Sequence, residues 1–154
     1  PDGEWALEEP DMAGGKSYYL SHKVLDHAVG KTSFTMPTNV YMALLTSAPT
    51  AATTGQSTTV TSIEATYTTY GRSSAIASSM RTAGTPTNGQ TSNSGAITFP
   101  AVTSGTSTIV AFCTIDSSSG AGNMLYWGTI TSKTVDTSNT PPTVGVDALV
   151  ITEV

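Results

Sequence analysis

The residues able to do chemistry in this chain are few, and their spacing argues against the reactions they could serve. Gly15-Lys16-Ser17 and Gly30-Lys31-Thr32 each reproduce the Gly-Lys-Ser/Thr half of a phosphate-binding loop. The full loop needs a glycine five residues before the second one, so that backbone amides can wrap the phosphates. Those positions hold Pro10 and Leu25. His22 and His27 are the two histidines, and five residues apart on a helix they face directions about 140° apart, too far round to grip one metal ion. The single cysteine, Cys113, sits among Ala111, Phe112 and Ile115, which suits a buried small hydrophobe. A reactive thiolate would want a nearby histidine or cation. No GxSxG nucleophile elbow occurs. Paired carboxylates would have to come from Glu64, Asp116, Asp136, Asp147 and Glu153, several of which fall beside turns where solvated acids are ordinary. The sequence therefore predicts no catalytic residue, no metal site and no cofactor.

Residues suited to binding stand out more clearly. Tyr70-Gly71-Arg72 places one of only six basic residues beside an aromatic, a pairing suited to fixing a neighbouring loop or meeting a carboxylate across an interface. Trp127, within Tyr126-Trp127-Gly128, suits a core or a subunit contact better than a carbohydrate platform. Trp5 and Leu7 are the apolar anchors of an otherwise polar N-terminal stretch, and aromatics dominate the energetics of interfaces. Tyr18 and Tyr19 complete the set of candidate partner-binding residues.

These residues need elements to hold them. The chain has 154 residues, suited to one domain and long enough to bury a core without disulfides. Its net charge of −5 is uneven. Asp2, Glu4, Glu8, Glu9 and Asp11 face no base within residues 1–11, whereas acids and bases balance from Met12 onward. Only 11% of residues are charged, against about 25% in typical domains, so solubility rests on Ser, Thr, Asn and Gly. With no basic patch, nucleic acid is not an expected partner. With no apolar run of about 18 residues, neither is a membrane. The acidic start does not look like a secretory signal, and Pro1 suits a start from which Met was removed or a processed end.

Residues 1–16 read as an extended acidic arm broken by Gly3, Pro10, Gly14 and Gly15. Residues 17–29 read as a helix, with Ser17 as N-cap, Leu20, Val24, Leu25 and Ala28 on one stripe, and Gly30 as its stop. From about residue 39 the period changes to that of strands: 40–45, 70–76 with weaker signals at Val60 and Ile63, 96–99, 108–115 as a strand buried on both faces, 124–131 as its hairpin partner, and 144–152. Residues 82–95 read as a turn-rich loop. Many short strands between turn clusters predict an all-β domain over 17–154, sandwich or jelly-roll in type, with one short N-terminal helix.

The segment LDHAVGKTSFTMPTNVYMALLTSAPT (25–50) resembles the opening of a family of small tailed-phage virion proteins often labelled tail-fibre-like. The resemblance runs through Thr35, Pro37, Val40, Tyr41, Ala43, Leu44, Thr46 and Pro49, then Glu64 with Tyr70-Gly71-Arg72. It continues through Ile97-Thr98-Phe99-Pro100 and Leu125–Gly128 to the closing Ala148–Thr152. The chain departs from the family in its arm before Met12, and in Thr106-Ser107-Thr108, where other members place a tryptophan. The resemblance implies a non-enzymatic structural protein on the virion surface. Its partners would be a major capsid or tail protein and copies of itself, with three-fold association expected. Without shaft repeats, the compact length favours capsid decoration; the alternative is a tail fibre or tail-tip protein that binds the host surface.

Overall fold

The structure is a computed structural model describing residues 14–49, 60–81 and 89–152. Among these residues the chain runs β1 (Gly14–Lys16), α1 (Tyr18–Ala28), β2 (Tyr41–Leu45), α2 (Ala75–Ser79), β3 (Gln90–Ser92), β4 (Ile97–Thr98), β5 (Ser107–Ile115), β6 (Met124–Val135), β7 (Thr143–Val144) and β8 (Val150–Thr152). The all-β expectation holds, with α1 as the one substantial helix. A four-stranded antiparallel sheet in the order β1-β6-β5-β2 is joined by two antiparallel ribbons, β3-β8 and β4-β7. The second layer is thus made of ribbons and loops and not of a continuous second sheet.

Both faces of the central sheet are buried, which is why β5 reads as a nearly unbroken apolar run. Side chains on a strand alternate between faces. Met42 and Leu44 of β2 face one cluster with Ile109, Phe112, Ile97, Phe99 and Leu149. Ala43 and Leu45 face the other with Ala111, Cys113, Ile115 and Met124. A register shift between Ile109 and Ala111 lets Val110 and Ala111 both serve the second cluster. Such an irregularity re-aims the side chains that follow it.

The free edge of β2 is covered by residues 63–73 acting as a broken strand. Met42 and Ser73 exchange backbone bonds, Ala65 donates to Leu44, and Thr46 donates to Ile63. Leu44 N–H finds no carbonyl there; it donates to the Tyr70 hydroxyl at 3.1 Å. A covered edge resists unwanted strand addition.

Several expectations are corrected. Gly14–Lys16, assigned to the arm, form the opposite edge strand, because the absence of a side chain lets Gly14 lie where a Cβ would come within 2.3 Å of the Trp127 carbonyl. The stretch 70–76 is not a strand: Tyr70 lies in a loop that leads to α2. The strand expected over 144–152 is two, separated by a turn at Asp147, whose φ is 60°. Gln90–Ser92, expected to be loop, pairs with β8. Finally, of the α1 stripe Leu20, Val24, Leu25 and Ala28, Leu20 is buried and the others are exposed. The remaining part of the arm, with Trp5 and Leu7, lies outside the described residues.

Candidate functional site

Two places bring the candidate residues together with other groups: the base of the β5–β6 hairpin, and the seam from β1 into α1.

At the hairpin, Arg72 grips Glu64 with two parallel bonds, Nε to Oε1 at 2.7 Å and Nη2 to Oε2 at 3.0 Å. The same guanidinium donates to the carbonyls of Ser117 and Gly120, both at 2.8 Å. Its side chain is 2% exposed and that of Glu64 11%, so the pair is buried within this chain. Burial alone would lower the Arg72 pKa, but the bonds and charge of Glu64 outweigh it and keep the guanidinium protonated. Tyr70 joins the group by donating to Glu64 Oε1 at 3.2 Å, and its hydroxyl is pushed up by burial and then by the carboxylate charge. Bidentate Arg–carboxylate geometry is strong and directional. Here it clamps the 117–120 loop against the covered edge of β2. The loop-fixing reading of Arg72 is the one the geometry displays.

Asp116 braces the same hairpin, accepting from the Asn123 backbone at 2.6 Å and side chain at 2.8 Å. Cys113 lies beneath it, fully buried, with its thiol pushed up to about 12 by burial and then by the Glu64 charge. At that pKa little thiolate exists near neutrality, so nucleophilic chemistry is not favoured there. Among the described residues no group of three or more His, Cys, Asp and Glu comes together that could hold a metal ion. No helix among them is long and apolar enough to cross a membrane.

At the seam, Ser17 does two jobs. Its hydroxyl accepts from Leu20 N–H at 3.1 Å as the N-cap and donates to the Met124 carbonyl, while its own N–H bonds to Leu125 at 2.8 Å. The helix is therefore pinned at its first residue to the start of β6. Its far end closes with Gly30 at φ 73° and bonds from Gly30 to His27 and from Lys31 to Asp26. This paired pattern satisfies the last carbonyls of a helix. Phe34 N–H adds a bond to His27 Nδ1 at 3.1 Å.

Between its caps, α1 buries little. Tyr18, Leu25 and Val29 are 55%, 60% and 62% exposed, and Met36, in the segment that follows, 77%. At 100° per residue, Tyr18, His22, Leu25 and Val29 fall on one stripe pointing away from Leu20. Tyr18 and His22 stack along it with ring centroids 6.4 Å apart. Tyr19 is half-buried, with Lys23 Nζ 5.8 Å from its ring centre.

Trp127 is half-buried beside this seam, paired with Gly15 on one side and Cys113 on the other. It helps line a cleft of about 150 Å³ with Tyr126, Phe112, Gly14, Gly128 and the strand end 150–152. The Phe112 ring covers Gly128 so closely that a Cβ there would meet it at 3.0 Å. No charged side chain lines the cleft.

Reading from the sequence missed two braces. Asn93 is fully buried and bonds to the carbonyls of Gly95 and Gly145 and to Leu149 N–H. Arg81 pairs with Asp147, which also takes Ser92. The Asn93-Ser94-Gly95 turn signal was the available hint for the first; the second joins residues 66 apart in sequence and left no local trace.

Fold and site together define a small all-β structural module, with its buried polar groups engaged in holding hairpins and turns. A family model described as podophage GP4 fiber I protein gp80 matches residues 15–152, and the chain belongs to that family. No curated protein matches the sequence. The protein is accordingly a structural protein of a bacteriophage virion, located at the surface of the particle.

Proposed function

We propose that this protein is a non-enzymatic tail-fibre component that binds other virion proteins and copies of itself, three-fold in arrangement, with the host surface as a further contact. The observation that carries this reading is the fibre-family match over nearly the whole of the chain. The geometry supports binding over chemistry: Arg72, Glu64, Asp116 and Tyr70 are engaged within the fold, whereas the α1 stripe offers exposed apolar surface. Capsid decoration is the second reading, favoured by sheets and ribbons without shaft-like repeats among the described residues.

Copy number separates the two. Quantitative mass spectrometry of purified particles should count a handful of copies for a tail component and hundreds for a capsid one. Particles lacking the protein should keep their DNA and fail to adsorb to the host. Particles that adsorb normally and release DNA at lower temperature would replace the tail reading with the capsid one.

A further inference from the structure

The second half of α1 stands clear of the sheet: from Val24 to Ser33 every residue is exposed, although the helix is capped at both ends. Its exposed side chains are regularly placed. Tyr18, His22, Leu25 and Val29 recur at intervals of four, three and four, the spacing with which one helix meshes against another. Beside them lie Val24 and Ala28, also exposed. At 100° per residue these six side chains cover an arc of about 160°, which holds no Lys, Arg, Asp or Glu. Asp26 stands just beyond one edge of the arc, and Val24 and Ala28 form the other.

The width of that arc sets the number of neighbours. The seam for a single partner helix is narrow, whereas an arc this wide is covered when neighbours lie on both sides. Area argues the same way. A helix of 11 residues is about 17 Å long. One seam along it falls well short of the roughly 800 Å² per partner of a stable interface, and a second neighbour doubles what each helix buries. Charge suits a ring. Among parallel helices related by rotation, the Asp26 edge of one meets the Val24 and Ala28 edge of the next, so no two acids face each other. A copy of this helix therefore matches the period of the stripe and does not repel it. We propose that α1 of three copies of this chain packs side by side about a three-fold axis, each stripe covered by those of the other two. The proposal rests on the three-fold self-association put forward above and names the surface that makes it.

The test uses the full chain and three variants of it. Leu25→Glu puts a carboxylate on the stripe, Leu25→Cys puts a thiol there, and His27→Cys puts one on the opposite side of the helix. Circular dichroism checks that each is folded. Light scattering over a concentration series should give the full chain the mass of a trimer, and Leu25→Glu should associate at least about tenfold more weakly. A short bismaleimide should join copies of Leu25→Cys, since a rotation axis brings the same residue of each copy together, and should not join copies of His27→Cys. Cys113 is buried and stays silent in both. If Leu25→Glu associates as tightly as the full chain, or Leu25→Cys is not joined, the helix ring is wrong while self-association through another surface stands. Leu25→Cys that resists even a single maleimide in the monomer would show the stripe covered by its own chain, and would overturn the ring as well. Joined copies with the mass of a dimer would replace the ring by a pair. A full chain that stays monomeric at every concentration would sink both the ring and self-association.

Discussion

The β5–β6 hairpin and the helix that adjoins it are held by opposite means. The hairpin is braced from both sides: Arg72 grips its loop from the β2 edge, and Ser17 bonds to its return strand from β1. Its apolar residues are buried on two faces. The helix has complete caps at both ends and buries one side chain, Leu20. Local hydrogen bonds thus define its shape while burial contributes little, and a helix of 11 residues is marginal in water without packing. One region is finished within a single chain. The other is shaped but uncovered, which is what a surface awaiting a neighbour requires.

That contrast can be broken most forcefully at Arg72. Arg72→Ala leaves a nearly buried carboxylate and two loop carbonyls without their donor. Losing one partner of a buried ion pair costs about 3–5 kcal/mol, measured here as a lowered urea midpoint. Arg72→Lys should recover only part of it, since an ammonium cannot reproduce the two parallel bonds. A loss under 1 kcal/mol would mean that the clamp contributes no stability and that the hairpin is held by apolar packing alone. Gly14→Ala attacks the seam. The added Cβ would overlap the Trp127 carbonyl, and overpacking of this kind costs about 1–3 kcal/mol. Hydrogen exchange should show β1 opening before the centre of β5.

How much of this was legible follows from the range of each interaction. The cap at Ser17 and the stop at Gly30 are local chemistry and could be read directly. So could β5 and its partner, because two-faced burial writes an unbroken apolar run. The covered edge of β2 could not be read: Leu44 N–H is satisfied by a hydroxyl, not by a regular strand, and no periodicity marks such a substitution. Nor could the exposure of Leu25, since a helical stripe looks the same whether it meets its own sheet or a neighbouring molecule. Arg72 was singled out for its rarity and its tyrosine neighbour, but its grip on Ser117 and Gly120 comes from the meeting of segments 45 and 48 residues apart.

Ser17 offers a milder test of the join between the two regions. Ser17→Ala removes the N-cap acceptor and the donor to Met124, and cap losses cost about 0.5–2 kcal/mol. Ser17→Asp should keep the cap but not the bond to Met124, so the difference between the two variants isolates the cap. Cys113 reports on the other side of the comparison. With its thiol buried and its pKa near 12, it should resist thiol reagents in the folded protein and react promptly in urea. Prompt reaction without denaturant would show that the second core cluster opens locally.

The smallest stability effect belongs to the exposed stripe, and it is the sharpest test of the contrast. Leu25→Gln with Val29→Gln replaces two exposed apolar residues by a good helix former. In a chain whose stripe touches nothing of its own, such changes should move folding stability by no more than about 0.5 kcal/mol. Association should respond far more. Burying a leucine side chain is worth about 1.5–3 kcal/mol, so even partial burial of both residues against a partner predicts at least a tenfold weaker complex. Stability read from urea unfolding of the dilute protein, and association from light scattering of the concentrated one, should therefore separate. If both fall together by 2 kcal/mol or more, the stripe packs on its own chain, and the helix belongs with the hairpin as a region finished within one molecule.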